Sequence, residues 1–132
     1  MLKWLRKSQA GQAMVEMALA LPVLLMLVGG IVDFGWLYYN KIALNNAARE
    51  GARYAVIHYN TSSDWASRSV NIMDSTYVGV DTAIAAVTED PMNSQIQATM
   101  TADIPILTGI TSTLIGKSSI EMTGTCTMRI ES

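Results

Sequence analysis

Gly11 and Glu16 stand five residues apart at the mouth of an apolar run, in the stretch KWLRKSQAGQAMVEMALALPVLLMLVGG (residues 3–30). An ionised carboxylate near a hydrocarbon core costs about 2.5 kcal/mol or more, depending on depth, so the glutamate needs a physical reason to be there. The simplest is position: Glu16 lies only three residues inside the run and can be solvated at its boundary. The sharper reason is covalent. If the chain is cut after Gly11, Gln12 becomes the first residue and Glu16 the fifth. A free α-ammonium group then lies about one helical turn from the carboxylate. That pair, within one chain or between neighbours, offsets the desolvation of both charges. It also puts negative charge at a helix N-terminus, where the macrodipole favours it.

The other residues with reactive side chains do not converge. His58 is the only histidine, and no nucleophile or metal-type cluster surrounds it, so a structural or surface place is expected. Cys126 is the only cysteine, which rules out an intrachain disulfide. It lies on an apolar strand face and reads as a packed thiol. Asp64, Asp74, Asp81 and Asp90 lack the spacing of a calcium loop and are expected to be solvated. There is no zinc spacing, phosphate-binding loop or dinucleotide glycine fingerprint. No acid–base pair or nucleophile constellation supports an enzyme, and neither cofactor nor metal is expected.

The elements that position Gly11 and Glu16 begin with the run itself. Residues 17–32 carry no charge, and Ala13, Met14 and Val15 extend the run on the other side of Glu16. Residues 13–32 reach the length of about 20 residues that a bilayer-spanning helix needs. Trp4 flanks one end and Trp36, Tyr38 and Tyr39 the other, as an interfacial aromatic belt would. Lys3, Arg6 and Lys7 precede the run without an acid among them, which predicts a cytoplasmic N-terminus with the rest outside. A cleavable secretory signal shares the basic start and apolar centre, with Gly29-Gly30 as its small-residue site. A carboxylate inside the apolar region and aromatics beyond it fit a retained helix better.

Half of the 132 residues are hydrophobic, 15% are charged, and the formal net charge is −2. Beyond Ala10, six basic residues face eleven acidic ones. That balance argues against a nucleic-acid partner, which needs a basic face.

The helical pattern continues from Asp33 to about His58. Ala43, Ala47, Gly51 and Ala55 recur every four residues as one small-residue stripe, of the kind that lets a second backbone approach closely. Its partner is either the chain's own domain or another subunit. Arg49, Glu50 and Arg53 read as solvated, with Glu50 and Arg53 at i,i+3 spacing. Pro22 removes a hydrogen bond to Ala18 and predicts a kink or local unwinding, with plain tolerance in a membrane helix as the alternative. Residues 60–64 read as a loop. Residues 65–88 are ambiguous, with a short helix expected over 81–88 and a break at Glu89-Asp90-Pro91.

The last third alternates. Ile96, Ala98, Met100, Ala102 and Ile104 share one side, as do Ile120, Met122, Gly124, Cys126, Met128 and Ile130, predicting two one-sided strands near 95–104 and 119–131. Between them, PILTGITSTLIGK suits a short helix or an apolar loop. Two strands alone are marginal and need a helix or further strand against them. The expected fold class is α+β: a long N-terminal transmembrane helix, continuing outside the membrane and packed against a small antiparallel sheet domain. Its divisions are a basic leader (1–11), the helix and its extension (12–58) and a small extracytoplasmic domain (59–132).

The basic leader, Gly11, and Glu16 opening an apolar helix resemble the class III signal of type IV pilins and pseudopilins. In that class a membrane-embedded prepilin peptidase cuts after the glycine on the cytoplasmic face. Gln12 stands where the main type IV and type II secretion branch has Phe, which points away from that branch. The stretch AMVEMALALPVLLMLVGGIVDFGWLYYNKIALNNAAREGARYAV (residues 13–56) is similar to the TadE-like family of the tight-adherence (Flp) pilus system. The V-E before A-L-x-L-P, the G-I-V-D-F-G and the N-A-A-R-E-G-A-R-Y-A block carry the likeness. Met17 replaces the more usual aromatic residue.

The resemblance implies a minor pilin or pseudopilin in the bacterial cytoplasmic membrane, acting in pilus initiation or in a tip or assembly complex. Its implied partners are prepilin peptidase and other minor pilins, with the major pilin and the membrane assembly platform as further candidates, beside the lipid bilayer. Pro22 would adjust helix curvature, and Arg49, Glu50 and Arg53 would be open to partner contact. The alternative is a single-pass, membrane-anchored binding protein or adhesin outside any pilus.

Overall fold

The computed structural model describes residues 5–130. Lys3, Trp4 and Glu131 lie outside them, and of Arg6 and Lys7 only the backbone is described. Six elements follow in order: α1 (Leu5–His58), α2 (Trp65–Thr76), β1 (Ile84–Asp90), β2 (Gln95–Pro105), α3 (Gly109–Ile115) and β3 (Ser119–Arg129). The architecture is α+β, a long N-terminal helix packed against a three-stranded antiparallel sheet of order β1-β2-β3.

The 54 residues of α1 reach about 81 Å at 1.5 Å per residue, and the helix is long and apolar enough to cross a membrane. Pro22 lies inside it, and the helix runs on without interruption at its position. The two halves of α1 have different surroundings. Residues 11–28 are exposed on every side. Beyond them Asp33, Asn40, Leu44, Ala47, Ala48, Gly51, Ala52 and Ala55 are buried, at spacings of three and four that mark one face of a helix. The domain covers that face alone. His58 ends the helix: its Nδ1 lies 3.0 Å from the Tyr54 carbonyl, to which it donates, and its ring stacks on Tyr54 at 4.0 Å.

Pairing register sets the two faces of the sheet. Ile96, Ala98, Met100, Ala102 and Ile104 of β2 stand opposite Met128, Cys126, Gly124, Met122 and Ile120 of β3. On the other side, Ala98 and Met100 pair with Val87 and Ala85 of β1. This apolar face packs on α1, and the β2 residues of it are fully buried. The other face is rich in threonine, with Thr99 opposite Thr125 and Thr101 opposite Thr123, whose hydroxyls are 3.1 Å apart. Gly124 is where helix and sheet come closest. A Cβ there would lie 2.5 Å from the Leu44 carbonyl carbon, so only glycine permits this spacing.

Residues 81–88 do not form the expected short helix; most of them belong to β1. Their alanines favour a helix locally, but that preference is worth only tenths of a kcal/mol per residue. Pairing seven residues along β2 satisfies an edge that would otherwise stay bare. The break falls later than expected, in the turn after Asp90. There the Asp90 carboxylate accepts from the Met92 and Asn93 amides and, at 2.8 Å, from the Asn93 side chain. These bonds, the Asn93 side chain foremost, hold the Asp90 carboxyl below the usual carboxylate range. Ser94 completes the turn with φ 51°, in the left-handed region.

Helix α2 packs beside the sheet on the same face of α1. Met73 fills the space over Gly51, and the Ser69 hydroxyl donates to the Gly51 carbonyl. Buried Asn40 bridges the elements: its amide donates to the Trp36 carbonyl at 2.9 Å, and its oxygen accepts from the Tyr77 hydroxyl at 3.2 Å.

Candidate membrane and assembly interface

Gly11, Gln12 and Glu16 all lie on α1 and are exposed. Among the described residues, a Cβ on Gly11 would meet nothing within 4 Å. The helical backbone puts residues 12 and 16 one turn apart on the same face. A glycine inside a helix costs about 1 kcal/mol relative to alanine, which lowers the cost of locally opening the helix at the Gly11–Gln12 bond. On both sides of Glu16 the apolar side chains are bare: Met14, Leu19, Val23 and Ile31 are all exposed.

At the outer end of this surface stands a second carboxylate, and this one is buried. Asp33 is 2% exposed. Its Oδ1 accepts from the backbone amides of Leu107 at 3.0 Å and Thr108 at 2.9 Å, and its Oδ2 accepts from the Thr108 hydroxyl. The same hydroxyl lies 2.9 Å from that of Thr111. Thr108 is the N-cap of α3 and makes no side-chain cap bond of its own. Asp33 therefore supplies, from α1, an acceptor for the chain entering α3, and charge-assisted bonds of this kind are about twice as strong as neutral ones. Sequence reasoning did not single out Asp33 or Thr108. The available signal was an acid directly after the last uncharged residue of the span.

Farther out, Lys41 donates from its ammonium to the Thr123 carbonyl of β3. Ala47, Gly51 and Ala55 are buried and Ala43 is half-buried, so the small-residue stripe packs against the chain's own sheet and α2. Arg49, Glu50 and Arg53 lie on the open side of α1 and are exposed. Structure thus separates two groups that sequence places side by side: the stripe faces inward and the charged residues outward.

Asp64, Asp74, Asp81 and Asp90 are exposed and scattered over the domain. Among the described residues, no group of three or more His, Cys, Asp or Glu side chains is placed to hold a metal ion.

Residues 11–53 match the family model described as TadE-like protein. The matched stretch starts at Gly11 and takes in Glu16, Pro22, Asp33 and most of the small-residue stripe. No curated protein and no solved structure matches the chain.

Proposed function

We propose that this chain, TadE-like over residues 11–53, is a membrane-anchored minor pilin or pseudopilin of a tight-adherence pilus. The observation that carries this reading is the division of α1. Its first half presents bare apolar surface around a single carboxylate, and its second half is clad on one face by a small sheet domain. Prepilin peptidase cuts after Gly11, and the helix from Gln12 stays in the bilayer. The new amine and the Glu16 carboxylate then neutralise each other, or their counterparts on a neighbouring helix, at the membrane boundary. Other minor pilins, and through them the major pilin and assembly platform, meet the outward residues Arg49, Glu50 and Arg53 and the threonine-rich face of the sheet. The chain acts by assembly, not by catalysis, and needs no cofactor.

Intact-mass measurement on protein from its native host tests the reading. The expected mature chain begins at Gln12. Full-length protein retaining Met1 in cells with active prepilin peptidase sinks the idea and leaves a single-pass binding protein.

A further inference from the structure

The connection between β2 and β3 does not stay with the sheet. It turns down along α1 to the apolar run: the Thr108 side chain lies 3.6 Å from where a Cβ on Gly29 would stand. Beyond it, Gly109, Thr113 and Leu114 of α3 form a shallow groove with Met26. Gly29 and Met26 are three and six residues inside the end of the run at Val32, or about 4.5 and 9 Å along the axis at 1.5 Å per residue. Helices lying in a membrane interface bury their apolar face by about 5–10 Å. The depths coincide.

The composition fits that position. Residues 104–116 carry no charge, and Leu107, Leu114 and Ile115 are exposed, Leu114 to 74%. The hydroxyls of α3 are satisfied locally: Ser112 and Thr113 donate to the Gly109 carbonyl at 3.0 and 2.7 Å, and that of Thr111 pairs with the Thr108 hydroxyl. Hydroxyl groups satisfied internally are what a lipid environment favours. Asp33, the one acid at this level, is covered by its bonds to Leu107 and Thr108. The first charge after α3 is Lys117, exposed one residue past the left-handed Gly116 that ends the helix.

We propose that α3 is a second membrane contact, lying in the outer-leaflet interface beside the span with Leu107, Leu114 and Ile115 in the acyl boundary and Asp33 fastening it to α1. The occupant of this apolar surface is lipid, because the surface continues that of the anchor at the same depth. The proposal rests on α1 being a membrane anchor. It goes beyond the pilin role in giving the domain a fixed seat on the bilayer.

The test uses the unmodified full chain in lipid nanodiscs, with backbone amide signals read by NMR. One sample carries lipids with a nitroxide near the headgroup, and another a soluble gadolinium chelate. Amides of residues 107–115 should broaden several-fold more than that of Thr125 with the lipid nitroxide, and several-fold less with the chelate. The same pattern should hold at two lipid-to-protein ratios. Residues 107–115 as open to the chelate as Thr125 overturn the proposal. So does shielding that grows with protein density without lipid broadening, which makes a second copy the occupant. The Leu24 amide separates the two readings: if it too is open to the chelate, the anchor itself has failed; if it is shielded while α3 is not, only α3 is misplaced.

Discussion

At the residue scale, two glycines at the packed face of α1, Gly51 within it and Gly124 on β3, look alike in sequence and differ in what surrounds them. A Cβ at Gly124 would lie 2.5–2.7 Å from the backbone of Leu44 and Asn45, which cannot move without lifting the helix off the sheet. A Cβ at Gly51 would run into the Met73 side chain, within 2.7 Å of Sδ, so that a flexible side chain and not a backbone segment has to shift. Gly51→Ala also gains about 1 kcal/mol of helix propensity. Gly124→Ala should therefore cost about 3 kcal/mol or more, at or beyond the upper end of ordinary overpacking, while Gly51→Ala stays within about 1 kcal/mol of wild type. Denaturant unfolding of the full chain in detergent checks this. Equal losses would mean that α1 and β3 yield more easily than their spacing implies.

At the scale of elements, the sheet is one-sided, and register is fixed because a slip by one residue would turn its apolar set outward. Met100 is fully buried between β1, β3 and α1, whereas Thr99 is half-buried on the threonine face opposite Thr125. Met100→Asp removes a core side chain and buries an unpartnered charge, with an expected loss of about 3 kcal/mol or more. Thr99→Asp leaves the core intact and should cost under about 1 kcal/mol. Thermal melting of the two variants in the same detergent decides the matter, and similar losses would mean the inward face is wrongly assigned. Alternation in β2 and β3 made this face legible beforehand. The alanine-rich β1 was not legible, since its strand state comes from pairing with β2 and not from its own residues.

At the scale of the whole molecule, insertion and assembly draw on different parts of α1. Insertion depends on total apolarity, so Glu16→Ala should leave it unchanged or improve it, because an acid near the span is unfavourable there. Assembly, in the proposed function, depends on the carboxylate as partner of the Gln12 amine. The variant should fractionate with membranes at wild-type levels and lose most co-purification with partner pilins. Recovery of partners at normal yield would contradict a role for Glu16 in assembly.

Sequence alone determined the features that repeat locally. The uncharged run of residues 17–32, the period-2 faces of β2 and β3 and the Gly11–Glu16 spacing all follow from order along a few turns or one strand. Tertiary structure decided what depends on distant partners. It chose the chain's own domain for the small-residue stripe, which sequence left open between that domain and another subunit. It made residues 84–90 a strand and set Asp33 beneath amides 74 and 75 residues away. The physical reason is that periodicity records only that a face is buried, not which element buries it. Nor does it record how a carboxylate next to an apolar run finds its donors.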